Sequence, residues 1–139
     1  MHTQLFLPVT TLTTSKKWDL DGSYIGTTSS ESIFDAAGQV TQATSCATEN
    51  SFYEALVSCT AMGIATRKET TTFSYYAAEQ VAHLPGLLYQ KQTTASVPST
   101  HTYQPALPAN IVRYDYYLDR GLLKSETVQP GTSLAVTKS

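Results

Sequence analysis

Phe34-Asp35-Ala36-Ala37-Gly38 has the composition of a tight turn between two strands, which indicates a fold built from β-hairpins. A run rich in Ser and Thr precedes it, and the strand-like residues 39–45 follow it. In such a unit the aromatic residue ends one strand and packs inward, and the Asp carboxylate accepts hydrogen bonds from backbone N–H groups of the turn. The Gly supplies a positive φ at no steric cost. These five residues therefore predict a β-hairpin.

The same pattern occurs sixteen residues earlier, in Trp18-Asp19-Leu20-Asp21-Gly22. A second pair of matching segments lies further on, where Gly86-Leu87-Leu88 and Gly121-Leu122-Leu123 are 35 residues apart. Each of these follows an aromatic, strand-like run, at residues 73–76 and 114–117. Their turns are longer, so this second repeat is degenerate. Repetition of one hairpin unit along a chain predicts an array of similar elements.

Composition favours extended structure along the whole chain. The sequence contains 22 Thr, 14 Ser and 9 Tyr, and Thr and Tyr side chains pack well on the pleated surface of a sheet. In residues 111–116 the side chains alternate, with Val112, Tyr114 and Tyr116 on one side. That period of two is typical of a strand. We therefore predict many short antiparallel strands joined by turns.

Two stretches depart from this pattern. Residues 46–62 predict an insertion loop, within which residues 51–57 favour a short helix. Residues 97–108 contain three prolines and predict an irregular segment, because proline cannot donate to a strand ladder. Cys46 and Cys59 lie in the insertion and could form a disulfide, but the sequence does not show their approach geometry. The simpler interpretation is two free thiols, one of them buried.

These units resemble the RHS/YD-repeat family, in which Tyr-Asp-x-x-Gly followed by a short apolar–polar strand occurs many times. Residues 34–41 resemble one such unit, with Phe in the Tyr position. Residues 114–131, from Tyr-Asp through Gly-Leu-Leu-Lys, are similar to units of the B and C components of insecticidal toxin complexes. The chain departs from the family pattern in three ways. It has Trp at position 18, no Asp in the unit at 73–89, and an insertion between its cysteines.

The resemblance implies an all-β fold of antiparallel β-hairpin repeats forming part of a larger β-sheet shell. We interpret residues 1–139 as one repeat segment, with degenerate units at about 9–45, 66–97 and 100–139. The expected partners are the remaining repeats of a larger parent chain or shell and an enclosed toxin polypeptide. We expect a fragment of a secreted or cell-surface protein, without a signal peptide of its own.

The expected role of the repeat residues is architectural, and we expect no catalysis, no cofactor and no metal. The positions that set the repeat are Trp18, Asp19, Gly22, Phe34, Asp35, Gly38, Gly86, Tyr114, Asp115 and Gly121.

Other function classes find little support. The formal net charge is −2 and the Lys and Arg residues are scattered, which argues against nucleic-acid binding. No apolar run approaches the roughly 20 residues of a membrane span. His83 and His101 lie in a predicted turn and a predicted loop, and no Gly-x-Ser-x-Gly motif accompanies them, so a hydrolase is disfavoured. Asp19-x-Asp21-Gly22 begins like a calcium loop, but no carboxylate follows before Glu31, which favours turn-capping aspartates.

One alternative function remains open, a β-sheet module that binds a carbohydrate or a protein. Exposed tyrosines on a sheet could stack on the rings of a glycan. We favour the interpretation that they pack between strands or line the shell. The tyrosines concerned are Tyr75, Tyr89, Tyr103, Tyr114 and Tyr116.

Overall fold

The computed structural model describes residues 9–49, 57–62, 67–77, 80, 86–96 and 108–139. The helix predicted at 51–57 lies outside these residues except for Val57, as does the irregular segment predicted at 97–108 except for Pro108. His83 and His101 also lie outside them.

The described part of the chain is all-β, which confirms the predicted fold class. Its strands hydrogen-bond in the order of the sequence, and the register is antiparallel for β1–β2, β2–β3, β5–β6, β6–β7 and β7–β8. No helix long and apolar enough to cross a membrane occurs among the described residues. The strands are β1 (Thr10–Trp18), β2 (Tyr24–Phe34), β3 (Val40–Thr48), β4 (Arg67–Tyr75), β5 (Leu88–Ser96), β6 (Asn110–Tyr117), β7 (Leu122–Val128) and β8 (Val136–Lys138).

The chain divides into two compact units. Unit 1 comprises residues 1–70 and 95–107, and unit 2 comprises residues 71–94 and 108–139.

In unit 1 the register of β1, β2 and β3 separates two faces. Thr14, Ser29 and Cys46 lie opposite one another across the three strands. Because successive side chains of a strand point to opposite faces, this row defines one surface, the loop face. The adjacent row, Thr13–Ser30–Ser45, defines the other surface, the open face, and these three side chains are exposed.

The core of unit 1 forms where residues 57–62 cover the loop face. Cys46 and Cys59 form a disulfide with their Cα atoms 5.6 Å apart, within the usual range for such bonds. The interpretation of two free thiols is therefore wrong, because the fold brings together two residues that are 13 positions apart. Val57 and Met62 complete a buried cluster with the two half-cystines.

Hydroxyl groups rather than apolar side chains fill the rest of this interior. The buried polar residues are Thr27, Ser29, Thr44 and Thr48. The Ser29 hydroxyl donates to the carbonyl of Val57 and lies 3.2 Å from Thr14 Oγ1. Thr14 Oγ1 accepts a 3.1 Å hydrogen bond from the Val57 N–H group, and Thr27 Oγ1 lies 2.6 Å from the Tyr24 hydroxyl. Buried hydroxyls are tolerated because each has a partner of this kind.

In unit 2, β6 pairs with β5 on one side and β7 on the other, and β8 pairs with β7. Val112 is the buried apolar residue of this unit in the part that the structure describes, at 8% exposure. It lies opposite Val128, which in turn lies opposite Val136. Apolar burial is therefore thinner here than in unit 1.

Replacing Ser29 by Ala tests the hydroxyl interior. The substitution removes the closer donor of the buried Val57 carbonyl and leaves it the longer, 3.4 Å bond from the Thr14 hydroxyl, so we expect the free energy of unfolding to fall by about 1 kcal/mol. The matched control is Ser30→Ala on the open face, where an exposed side chain is removed and a change within about 0.5 kcal/mol is expected. Denaturant unfolding of both variants measures the difference. Equal denaturant midpoints for Ser29→Ala and Ser30→Ala would show that the buried Ser29 hydroxyl does not stabilise unit 1.

Candidate functional site

The residues singled out by the repeat lie mainly at hairpin turns. Between β1 and β2, the N–H group of Asp19 donates to the Ser23 carbonyl at 2.8 Å, and that of Gly22 donates to the Asp19 carbonyl at 3.0 Å. Asp19 Oδ1 accepts a 2.7 Å bond from the N–H group of Leu20. Gly22 has a φ of +83°, a conformation that costs little without a Cβ atom.

Asp21 caps the same turn. Its Oδ1 accepts hydrogen bonds from the hydroxyl and the N–H group of Ser23. These bonds stabilise the carboxylate and lower the pKa of Asp21 below its ordinary value, the hydroxyl having the larger effect. Among the described residues no group of three or more His, Cys, Asp or Glu side chains could hold a metal ion.

The turn between β2 and β3 repeats this geometry. The N–H group of Asp35 donates to the Gln39 carbonyl at 2.8 Å, and that of Gly38 donates to the Asp35 carbonyl at 3.0 Å. Asp35 Oδ1 accepts 2.9 Å bonds from the N–H groups of Ala37 and Gln39. Gly38 has a φ of +80°. The two aromatic-Asp-x-x-Gly segments thus form the same backbone turn.

In three hairpins a register shift follows the turn at the same distance from its glycine. Trp18 pairs with Tyr24 whereas Lys17 pairs with Gly26, so Ile25 is an extra residue in the returning strand. The same count identifies Thr41 after Gly38 and Lys124 after Gly121. Each extra residue lies three positions beyond its glycine. Such bulges increase the local twist of a strand pair and set its register.

The third hairpin has a longer turn. Tyr114 and Asp115 lie within β6, in the run that the alternation at residues 111–116 predicts to be a strand, and Asp115 Oδ2 accepts a 3.2 Å bond from the Ser125 hydroxyl of β7. The turn itself is closed by the N–H group of Gly121, which donates to the Tyr117 carbonyl at 2.8 Å. Measured from the bulge, Tyr116 is the residue that corresponds to Trp18 and Phe34.

Two further repeat positions behave differently from each other. Gly86 has a φ of +89° just before β5. Trp18 ends β1 but does not pack inward, since 50% of its surface is exposed. Its ring and that of Tyr24 are arranged edge to face, with their centroids 5.7 Å apart. The expectation of an inward aromatic fails here because the bulge places Trp18 beside a tyrosine at the end of the strand pair.

An aromatic cluster in unit 2 consists of Tyr76, Tyr89 and Tyr116. The ring of Tyr76 meets Tyr89 at 5.2 Å and Tyr116 at 6.0 Å, both edge to face. The Tyr76 hydroxyl donates to the Tyr114 carbonyl at 3.0 Å. The guanidinium of Arg113 lies over Tyr89, 5.3 Å from its centroid. Sequence reasoning missed Tyr76, which follows the end of β4, because nothing local distinguishes it from Tyr75.

The open face of unit 1 carries a groove of about 290 Å³. Its lining includes Thr28, Ser30, Ser45, Arg67 and Glu69. Such groups can form hydrogen bonds with water or a polar surface. Neither cysteine has a free thiol, so neither can act as a nucleophile.

Comparison of the chain with protein-family models, with curated proteins and with solved structures finds no significant match. The case for a function therefore depends on the geometry of the turns, the faces and the edges described above.

Gly38→Val should open the second hairpin locally. A β-branched residue resists a φ of +80°, and the left-handed conformation costs about 1 to 2 kcal/mol even for ordinary residues. We expect faster hydrogen exchange for the amides of residues 30–45. Space is not the cause, because a Cβ atom at this position meets nothing within 4 Å.

Gly38→Asn is the matched control, since Asn adopts positive φ more readily than other residues with a side chain. Its exchange should remain close to that of the parent protein. Unchanged protection in Gly38→Val would show that the turn does not depend on its glycine.

The tyrosine cluster should make unit 2 sensitive to alkali. Burial, followed by the negative charge of Asp115, raises the pKa of Tyr76 above its ordinary value of 10.0, and burial also raises the pKa of Tyr116. A raised pKa in the folded state favours the neutral phenol. The contribution of the neutral tyrosines to the free energy of unfolding is therefore fully present below pH 10. It is lost as the pH rises from 10 through the raised pKa values of the folded state.

Ultraviolet titration of tyrosinate together with unfolding at several pH values measures this effect. Tyr76→Phe should weaken the alkaline loss of stability, whereas Tyr117→Phe, at an exposed position outside the cluster, should leave it unchanged. An identical pH dependence in all three proteins would contradict the assignment to Tyr76.

Proposed function

We propose that this chain is a structural β-sheet segment of a larger shell of the RHS/YD-repeat type, with no catalysis of its own. The observation that carries the proposal is the small amount of apolar surface that each unit buries. Its partners are the remaining repeats of the shell and a polypeptide enclosed by it. The shell is secreted or displayed at the cell surface.

The thin core supports a role within a larger sheet. In the described residues of unit 1, the buried apolar side chains all gather around the disulfide, and in those of unit 2 only Val112 is buried. Several large apolar side chains are exposed instead, including Leu122, Leu123 and Leu134. A sheet becomes stable when its faces and edges are covered by further structure.

The turns support a repeated architecture. Two turns share the same backbone hydrogen bonds, and three hairpins share a bulge at the same distance from a glycine. A unit of this kind can be added many times, because each hairpin leaves the next strand in position to pair with the last. Because the three hairpins have the same bulge, each adds a similar local twist, which a curved sheet requires.

The edge of the sheet at β8 supports an extension beyond it. β8 pairs with β7, and no other described strand pairs with it. Val136 in β8 is 65% exposed, and Leu134 just before it is 74% exposed. A strand at the edge of a sheet leaves a row of backbone N–H and C=O groups unpaired, and this row is a template for another strand. In the proposed shell, the next repeat occupies this edge.

Expression of the chain alone tests the proposal. We expect a β circular dichroism spectrum, concentration-dependent oligomers by light scattering, and a broad thermal transition. Val136→Lys should shift the oligomers toward monomer, because a charge on an edge strand opposes pairing. Leu20→Lys is the matched control, because Leu20 is a fully exposed apolar residue at a turn and its replacement should change nothing.

The opposite result is also informative. If the unsubstituted 139-residue chain is a monomer and unfolds in a sharp, reversible and concentration-independent transition, it is a self-sufficient domain. The shell-segment proposal would then be wrong.

A further inference from the structure

Residues 57–62, which cover the loop face of unit 1, are bonded covalently to the sheet through one disulfide. Residues 57–62 supply Val57, Cys59 and Met62 to the buried cluster, and the fourth member, Cys46, belongs to β3. Cys46 and Cys59 are 4% and 3% exposed. The disulfide therefore lies inside the cluster that it creates.

Hydrogen bonds and the apolar contacts of Val57 and Met62 also attach this segment to the sheet. Val57 contacts Thr14 through its N–H group and Ser29 through its carbonyl. The N–H group of Cys59 donates to Glu31 Oε1. Each such bond has a small net effect, because water replaces it when the segment lifts away. The disulfide is thus the strongest attachment of residues 57–62 to the loop face.

We propose that the Cys46–Cys59 disulfide is a clasp that holds residues 57–62 over the hydroxyl row of the loop face, and that the chain consequently acquires its fold in an oxidising compartment. Without the clasp, the Ser29 hydroxyl and its neighbours become accessible to water, and the small apolar cluster disperses. Stable disulfides of this kind form in secreted and periplasmic proteins and are rare in the cytosol. The inference stands independently of the proposed shell function.

The chemistry requires an acceptor of two electrons. A Cys46 thiolate attacks one sulfur of a small-molecule disulfide such as oxidised glutathione, forming a mixed disulfide and releasing one thiolate. The Cys59 thiolate then attacks the Cys46 sulfur and releases the second. The two protein thiols lose two protons and two electrons, and the acceptor becomes two thiols.

Burial of both sulfurs sets the order of events. The bond must form before or during the docking of residues 57–62, because the docked segment excludes an attacking thiol. For the same reason, a reductant must wait until the segment lifts. Reduction of the folded chain should therefore be at least a hundredfold slower than reduction of the same chain in denaturant.

Refolding of the full chain tests the proposal. In oxidised glutathione, intact mass spectrometry after thiol alkylation should show no free thiol. The amides of residues 57 and 59 should then exchange at least tenfold more slowly than after refolding in reduced glutathione. The pairing of β2 with β3 gives an internal reference within the same unit. Equal protection under the two conditions, or free thiols after oxidative refolding, would overturn the proposal.

The double variant Cys46→Ala/Cys59→Ala is the matched control. Its exchange at positions 57 and 59 should resemble that of the reduced chain, and reductant should change nothing further. If this variant fails to fold, the reduction rate of the oxidised parent chain decides the question. Reduction as fast in the folded chain as in denaturant would show that the segment does not cover the bond.

Discussion

Register is the constraint on which the rest of this structure depends. A sheet made largely of Thr and Ser presents similar side chains on both faces, so alternation of apolar and polar residues specifies its register weakly. The turns determine the register that the strands specify only weakly. At the second hairpin, the Asp35 carboxylate and the positive φ of Gly38 define the reversal, and the extra residue Thr41 defines the pairing beyond it. The hairpin before β2 has the same three features, and the hairpin after β6 has the glycine with positive φ and the extra residue.

The interior of unit 1 is a consequence of that register. Ser29 lies between Thr14 and Cys46, so one row combines the hydroxyls that bind the Val57 main chain with the sulfur that bonds to Cys59. A slip of one residue would bring Ser45 to this face and carry Cys46 to the other. The turns and the disulfide therefore depend on each other. The turns place Cys46, and the disulfide secures the only apolar cluster in the described residues of this unit.

Local features could be predicted from the sequence, whereas features that depend on distant residues could not. The all-β class follows from composition and from punctuation by turns. The reversal at residues 35–38 has all its determinants within five residues. The disulfide depends on how β3 meets a segment 13 positions away, and the spacing alone does not determine it. Tyr114-Asp115 copies the first two residues of the motif, yet it lies within β6, as its alternating side chains predict, and the reversal occurs at Gly121, where backbone hydrogen bonds close the turn.

The two units differ in how far they can stand alone. Unit 1 has a covalent clasp, an apolar cluster and a set of satisfied hydroxyls. Unit 2, in its described residues, has Val112, a tyrosine cluster whose rings contact each other, and a short edge strand in which Val136 is exposed. The three tyrosines of the cluster are only half-buried, so they add less apolar burial than fully buried rings would. Unit 2 is therefore the part that additional strands would stabilise most, and in the proposed shell they would pair with β8.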